Sequence, residues 1–212
     1  MQYDPIKQFL GGIFNKSPFS RKVFYTLLDL LLLRTWHIRK ELRMLKNTIP
    51  AAAHILDAGA GFGQYTYYLS GKFPGACITA IDIKKEQVED NNAFFNKIGK
   101  SQQVRFVEGD LLELSHAESF QLALCIDVME HIEDDVTVLK NIQRSLKPGG
   151  VLLISTPSDR GGSDVHHEQD ASFIEEHVRD GYSIQDMSLK LQTAGFSKIM
   201  ARYSYGTPGR IS

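Results

Sequence analysis

The chain has 212 residues, 42% of them hydrophobic and 23% charged, with a formal net charge of -1. That length fits one domain with a small appendage and a real core, and the near-neutral balance supplies no global field for nucleic acid or anionic substrates. The two cysteines, Cys77 and Cys125, sit in apolar strand-like runs, which argues for reduced core thiols and a cytoplasmic setting.

The opening "MQYDPIKQFLGG" lacks the basic, apolar and small-residue order of a cleavable leader, and residues 1–19 are punctuated by turn formers. A helix is expected over residues 20–46, capped by Ser20. Its apolar positions Val23, Leu27, Leu30, Leu31, Ile38, Leu42 and Leu45 recur at helical spacing, and its other side carries Arg34, Arg39, Lys40, Arg43 and Lys46. Such a helix packs on its own domain, acts as a lid, or rests on a membrane; its "LLDLLLL" run is broken by Asp29 and too short to cross one. Residues 1–48 therefore form an N-terminal segment, and 49–212 the main domain.

After Pro50 short strands alternate with helices. Strands are expected over residues 54–59, 76–83, 103–110, 120–127 and 151–157, with helices after the first, second and fourth, the last of these over 133–146. "KPGG" ends that helix, with a glycine for the left-handed turn. A polar loop over 158–182 leads to a helix capped by Ser183, then to a last strand over 197–205. Apolar strands alternating with amphipathic helices imply a Rossmann-like α/β sandwich of three layers around a mostly parallel sheet. The expected strand order is 3-2-1-4-5-6, with the added N-terminal helix and with a seventh strand absent, truncated or contributed elsewhere.

Ligands of such sheets bind at the carboxyl ends of the strands. That rule gathers Asp57, Asp82, Asp110 and Asp127 at one rim, together with the glycines of "DAGAGFG", Gly59, Gly61 and Gly63. A lone aspartate is usually a cap or turn residue, but four at one rim beside a glycine turn point to a ligand. A dinucleotide fingerprint would read G-x-G-x-x-G, whereas the spacing here is G-x-G-x-G with an acid two positions before it. That acid opposes a pyrophosphate and suits a cation. S-adenosylmethionine carries a sulfonium and an amino group and no phosphate. Asp82 suits ribose hydroxyls, and Asp110 can accept from an exocyclic amine.

The stretches "ILDAGAGFGQYTYYLS", "AIDIKKEQVEDN", "VRFVEGDLLEL", "LALCIDVMEHIEDD" and "LKPGGVLLISTP" resemble, in order, those of class I S-adenosylmethionine-dependent methyltransferases. The resemblance implies S-adenosylmethionine as cofactor and S-adenosylhomocysteine as product. It places Asp57, Ala58 and the 59–63 turn on the methionine portion and Asp82 on the ribose. Ile83, Asp110 and Leu111 frame the adenine, and Ile126 and Asp127 complete the wall beside the methyl donor.

"IDVMEHIEDD" also resembles the subgroup of ubiquinone-pathway O-methyltransferases, some of which hold a divalent metal there. The matching positions are Asp127, Glu130 and His131, which share a face if the segment is helical. Asp127 is shorter than the acid of that pattern, and no metal is expected. His131 is the candidate catalytic base, and Glu133, Asp134 and Asp135 read as an acidic helix start. In the 158–182 loop, His166, His167 and Glu168 lack zinc-site spacing, while His177 and Arg179 are second-rank acceptor-site candidates. No basic, aromatic-interleaved patch marks a nucleic-acid binder, so a small-molecule or lipid-like acceptor, methylated on oxygen, is expected. A peripheral membrane contact would run through residues 20–46, and the oligomeric state stays open. The competing readings are a non-catalytic or membrane-associated partner and an NAD-dependent oxidoreductase.

Overall fold

A computed structural model of the chain describes residues 17–159, 178–179 and 181–204. Two helices come first, α1 (Pro18–Leu31) and α2 (Leu33–Leu45). They are followed by β1 (His54–Ala58), α3 (Gln64–Lys72), β2 (Cys77–Asp82), α4 (Lys85–Lys97), β3 (Val104–Glu108), β4 (Phe120–Ile126), α5 (Asp135–Ser145), β5 (Leu146–Ser155) and α6 (Ile184–Thr193). Short 3₁₀ turns, Leu111–Glu113 and Met129–His131, follow β3 and β4.

The strands form one sheet in the order β3-β2-β1-β4-β5, and every neighbouring pair is parallel. The register sets Ile55 beside Ile78 and Leu122, so these side chains meet on one face. Successive strand residues point to opposite faces. On β4, Leu122, Leu124 and Ile126 therefore join the core that also holds Tyr25, Leu42, Leu69 and Phe95. Ala123 and Cys125 join the second core with Val138, Leu139, Ile142 and Leu191. A sheet buried on both faces needs apolar residues at nearly every position, which is why its strands read as continuous apolar runs.

Five sequence expectations change in detail. The single helix over 20–46 is two helices, because Leu32 adopts an extended backbone (φ -98°, ψ 105°) between them. That break lets the Trp36 indole donate to the Asp29 carbonyl at 2.7 Å and brings Arg39 onto the Asp29 carboxylate. The N-cap is Ser17 rather than Ser20: Ser17 Oγ accepts from the Ser20 amide, and Ser20 Oγ accepts in return from the Ser17 amide. Pro18 takes the first helical position, where its missing N–H costs nothing.

The strand expected over 197–205 is not formed by residues 197–204. Met200 is 93% exposed there, so the alternating pattern buries no face, and Arg202 pairs with Glu41 of α2 instead. The fifth strand starts earlier than expected, at Leu146, with Gly149 in the left-handed region. Cys125 is a buried thiol as expected, but Cys77 is exposed at the first position of β2, before the strand enters the core.

Candidate active site

The turn after β1 is shaped by two glycines that no other residue could replace cheaply. Gly59 and Gly63 both have φ +77°. A Cβ on Gly59 would lie 2.3 Å from Val128 Cγ2, and one on Gly63 would lie 2.8 Å from Asn91 Oδ1. Gly61, at φ +51°, differs: a Cβ there would meet nothing within 4 Å. The amides of Gly59 and Ala60 both donate to the Ile81 carbonyl, at 2.8 and 2.9 Å, which folds the turn over the end of β2.

That fold joins two of the predicted acids. Asp82 accepts the Gly61 amide on Oδ2 at 2.7 Å and the Lys84 amide on Oδ1 at 2.9 Å, leaving further lone pairs for a ligand. Asp57, at the end of β1, is 2% exposed and accepts the Thr66 hydroxyl of α3 at 2.5 Å. Burial pushes the Asp57 carboxyl up to about 6, against the opposing pull of the Thr66 hydrogen bond. A carboxylate held in so dry a place gains from a cationic neighbour and would repel a phosphate.

The remaining predicted residues divide. Ala58 is buried in the second core, and Ile126 in the first. Ile83 follows Asp82 and is half exposed, an apolar side chain open at the rim. Asp110 caps the 3₁₀ turn after β3 by accepting the Leu112 amide at 2.8 Å. Leu111 is buried, and Asn141 of α5 steadies the turn through the Leu111 and Leu112 carbonyls at 3.1 and 2.7 Å.

Asp127 ends β4 with φ +52°, a left-handed conformation that aspartate tolerates better than most residues, and its amide donates to the Ser155 carbonyl at 2.9 Å. Its carboxylate lies 2.5 Å from Arg34 Nη1, at the first turn of α2. The acids and histidine that follow do not share a helical face, because the segment is a 3₁₀ turn. Glu130 is 1% exposed and accepts the Thr156 hydroxyl at 3.3 Å, and burial raises its carboxyl. His131 is exposed. Among the described residues no group of three acids, histidines or cysteines could hold a metal ion.

Sequence reading missed two groups that tie distant elements to this rim. Arg21 of α1 is 5% exposed and donates to the Phe62 carbonyl at 3.0 Å, the Asp90 carbonyl at 3.2 Å and Asn91 Oδ1. The Tyr25 hydroxyl reaches the same Phe62 carbonyl at 2.5 Å, and burial lifts its pKa to about 12. Arg21, outside the cationic side expected for the first helix, is thus an internal anchor on the glycine turn. Asn91, in turn, donates to the Gly61 carbonyl at 2.8 Å.

The second group centres on Asp135, expected only as part of a helix start. The helix start itself is Asp134, which accepts the Thr137 amide at 3.2 Å. Asp135 is buried and receives Arg179, the Tyr182 hydroxyl at 2.7 Å and Lys190 at 3.1 Å. Arg179 also donates to the Ile132 and Glu133 carbonyls at 2.8 and 2.9 Å. It therefore fastens the chain before α6 to the segment carrying His131. His166, His167, Glu168 and His177 lie outside the described residues. A surface hollow of about 400 Å³, lined by Arg39, Tyr67, Tyr68, Gly71, Lys72 and Lys100, contains none of the strand-end acids and is separate from this rim.

Residues 56–154 match a family model described as a methyltransferase domain. O-methyltransferase resE of Aspergillus sclerotiorum is 34% identical over 106 residues, which are 50% of this chain and 40% of that protein. The ubiquinone biosynthesis O-methyltransferase of Xanthomonas axonopodis pv. citri is 32% identical over 107 residues, 50% of this chain and 44% of that one. The chain spans less than half the length of these relatives. Phosphoethanolamine N-methyltransferase 2 of Haemonchus contortus, solved with S-adenosyl-L-methionine, has a TM-score of 0.62 at 22% identity over 74% of this chain and 36% of that one, a likeness of fold. The matched residues run from inside β1 to inside β5 and so take in the glycine turn and every strand-end acid described above; over this stretch, just under half of its length, the chain is similar to a methyltransferase domain.

Proposed function

We propose that this chain binds S-adenosylmethionine at the rim of β1, β2 and β4 and methylates an oxygen of a small or lipid-like acceptor. The observation that carries the reading is Asp57: a buried carboxylate, beside a glycine turn with open space at Gly61, fits a cationic nucleoside and not a dinucleotide. The solved relative with S-adenosyl-L-methionine and the O-methyltransferase relatives support the cofactor and the reaction type.

When bound, the cofactor supplies a methyl group on a sulfonium, which leaves as the neutral thioether of S-adenosylhomocysteine once its carbon–sulfur bond breaks. The chain's own work is to hold and align. Asp57, Ala58 and the 59–63 turn take the charged methionine end, and the two carboxylate oxygens of Asp82 take the ribose. Ile83 and Leu111 flank the adenine, with Asp110 accepting from its amine. Ile126 and Asp127 close the side toward β4. His131, exposed at the end of its turn, would take the proton of the acceptor hydroxyl. Helix α1 serves the 49–212 domain as a cover for the glycine turn, nucleic acid is not a partner, and residues 20–46 meet a membrane surface.

Calorimetry with S-adenosylmethionine and NAD, followed by release of S-adenosylhomocysteine with hydroxylated acceptors, tests the reading. Micromolar binding of the first ligand alone, with product release, is expected. NAD binding would favour an oxidoreductase, and S-adenosylmethionine binding without turnover on any acceptor would favour a non-catalytic partner.

A further inference from the structure

Helix α1 is arranged inside out. Its face toward the domain buries Arg21 and Tyr25, whereas Phe19, Val23, Leu27, Leu30 and Leu31 form a stripe at i, i+4, i+8, i+11 and i+12 that faces solvent. Phe19 and Leu31 are 77% and 75% exposed. The stripe continues across the Leu32 break into Leu33 and Trp36, at 60% and 58%. On α2 the same face, read at i, i+3, i+7 and i+10, passes from Leu33 and Trp36 to Lys40 and Arg43, both exposed. Lys22 borders the stripe on α1 and is exposed as well.

The charge here is opposite to that of the rest of the chain. Residues 17–46 hold seven cations and two acids, net +5, in a protein of net -1. Both acids are occupied, Asp29 by Arg39 and Glu41 by Arg202. Among the described residues, Lys22, Lys40, Arg43 and Lys46 make no ion pair.

On these grounds, and resting on the methyltransferase reading above, we infer that the outer face of α1 and the junction 30–36 dock on an anionic lipid bilayer and present the active-site rim to it. An apolar face bordered by lysine and arginine, with a tryptophan at its edge, matches a surface of anionic headgroups over hydrocarbon. The same face of a second copy would set Lys22, Lys40 and Arg43 against their own like charges. One helix face about 20 Å long, at 1.5 Å per residue, also offers little of the roughly 800 Å² that a stable protein partner covers. The junction lies at the rim itself, because Arg34 beside the exposed Leu33 meets Asp127 at 2.5 Å. Docking would thus let an apolar acceptor pass from the bilayer to the site with little exposure to water.

The test is sedimentation of the 212-residue chain with vesicles of phosphatidylcholine alone and with about one-third phosphatidylglycerol. Wild type should partition about tenfold more strongly onto the anionic vesicles. Leu30→Ser with Leu31→Ser should lose about tenfold on the anionic vesicles, and Lys40→Glu with Arg43→Glu should lose the preference for them. Failure of wild type to sediment with anionic vesicles overturns the inference. So does unchanged sedimentation of either variant, or a wild-type dimer that the serine variant converts to monomer, which would make the face an interface between copies. S-adenosylmethionine binding, measured on the same samples, separates the two readings. Wild type that binds the cofactor but not vesicles loses only the docking, and wild type that binds vesicles but not the cofactor loses only the methyltransferase assignment. If the serine variant no longer binds cofactor, the charge-reversal variant decides.

Discussion

At the scale of single residues, Asp57 is under opposing demands. Its folded pKa, about 6, lies above the 3.8 of an ordinary aspartate, so without a cationic ligand the fold holds that proton more tightly than the unfolded chain does. The associated stability is complete below about pH 4 and is lost as pH rises through about 6. A rise of that size corresponds to about 3 kcal/mol. Asp57→Asn should therefore raise the stability of the ligand-free protein near neutral pH by up to that amount, read by denaturant titration, while weakening S-adenosylmethionine binding at least tenfold in calorimetry. For the wild type, cofactor affinity should fall as pH is lowered through about 6, because the carboxylate must be ionised to hold a cation. A pH-independent affinity would show that Asp57 does not face the charged end.

The glycines of the turn allow a sharper distinction. Gly59→Ala combines a positive φ with an overlap on Val128 and should lose more than the roughly 1–2 kcal/mol that a left-handed alanine costs alone. Gly61→Ala carries only the conformational cost, since no protein atom lies near its Cβ. If the proposed cofactor fills that space, the loss of cofactor affinity should nevertheless exceed the loss of stability. Equal losses, compared by calorimetry and chemical denaturation, would count against a cofactor at this turn.

At the scale of elements, two buried arrangements hold the rim. Asp135→Ala leaves Arg179, Lys190 and the Tyr182 hydroxyl without their shared acceptor and should cost about 3 kcal/mol in chemical denaturation. Burial, with the Asp135 hydrogen bond and charge, already holds the Tyr182 phenol well above its ordinary pKa. Arg21→Met cuts three anchors between α1 and the glycine turn with its neighbour α4, so S-adenosylmethionine affinity should drop while the turnover rate at saturation changes less. A merely structural arginine would lower the melting temperature and leave KM for the cofactor as it was. Neither arrangement is visible in local patterns. Arg21 and Asn91 are 70 positions apart, and Asp135 and Lys190 are 55. A cation on a helix and an acid at a helix start each have sufficient local explanations in exposed faces and dipoles, and only packing replaces those with specific partners.

At the scale of the whole molecule, ligand linkage gives the most direct check. A cofactor at one hundred times its dissociation constant stabilises the fold by about 2.7 kcal/mol, which for a chain of this length is a rise in Tm of roughly 5–10 °C. S-adenosylmethionine and S-adenosylhomocysteine should both produce a rise of this order and NAD none, and the rise with S-adenosylmethionine should be larger at pH 8 than at pH 5. By itself the sequence determined the five parallel strands and the gathering of Asp57, Asp82, Asp110 and Asp127 at their carboxyl ends. Apolar runs of strand length, alternation with helical periods and an acid at the end of each of the first four strands are local features, and a doubly covered parallel sheet turns them into one rim. The tertiary structure alone decided which polar groups inside that frame are anchors. It set Arg21 and Tyr25 on the glycine turn, Asp135 under three donors and the leucines of α1 toward solvent. Those outcomes depend on which face of an element meets which distant neighbour, and the sequence pattern of a single helix fits either face.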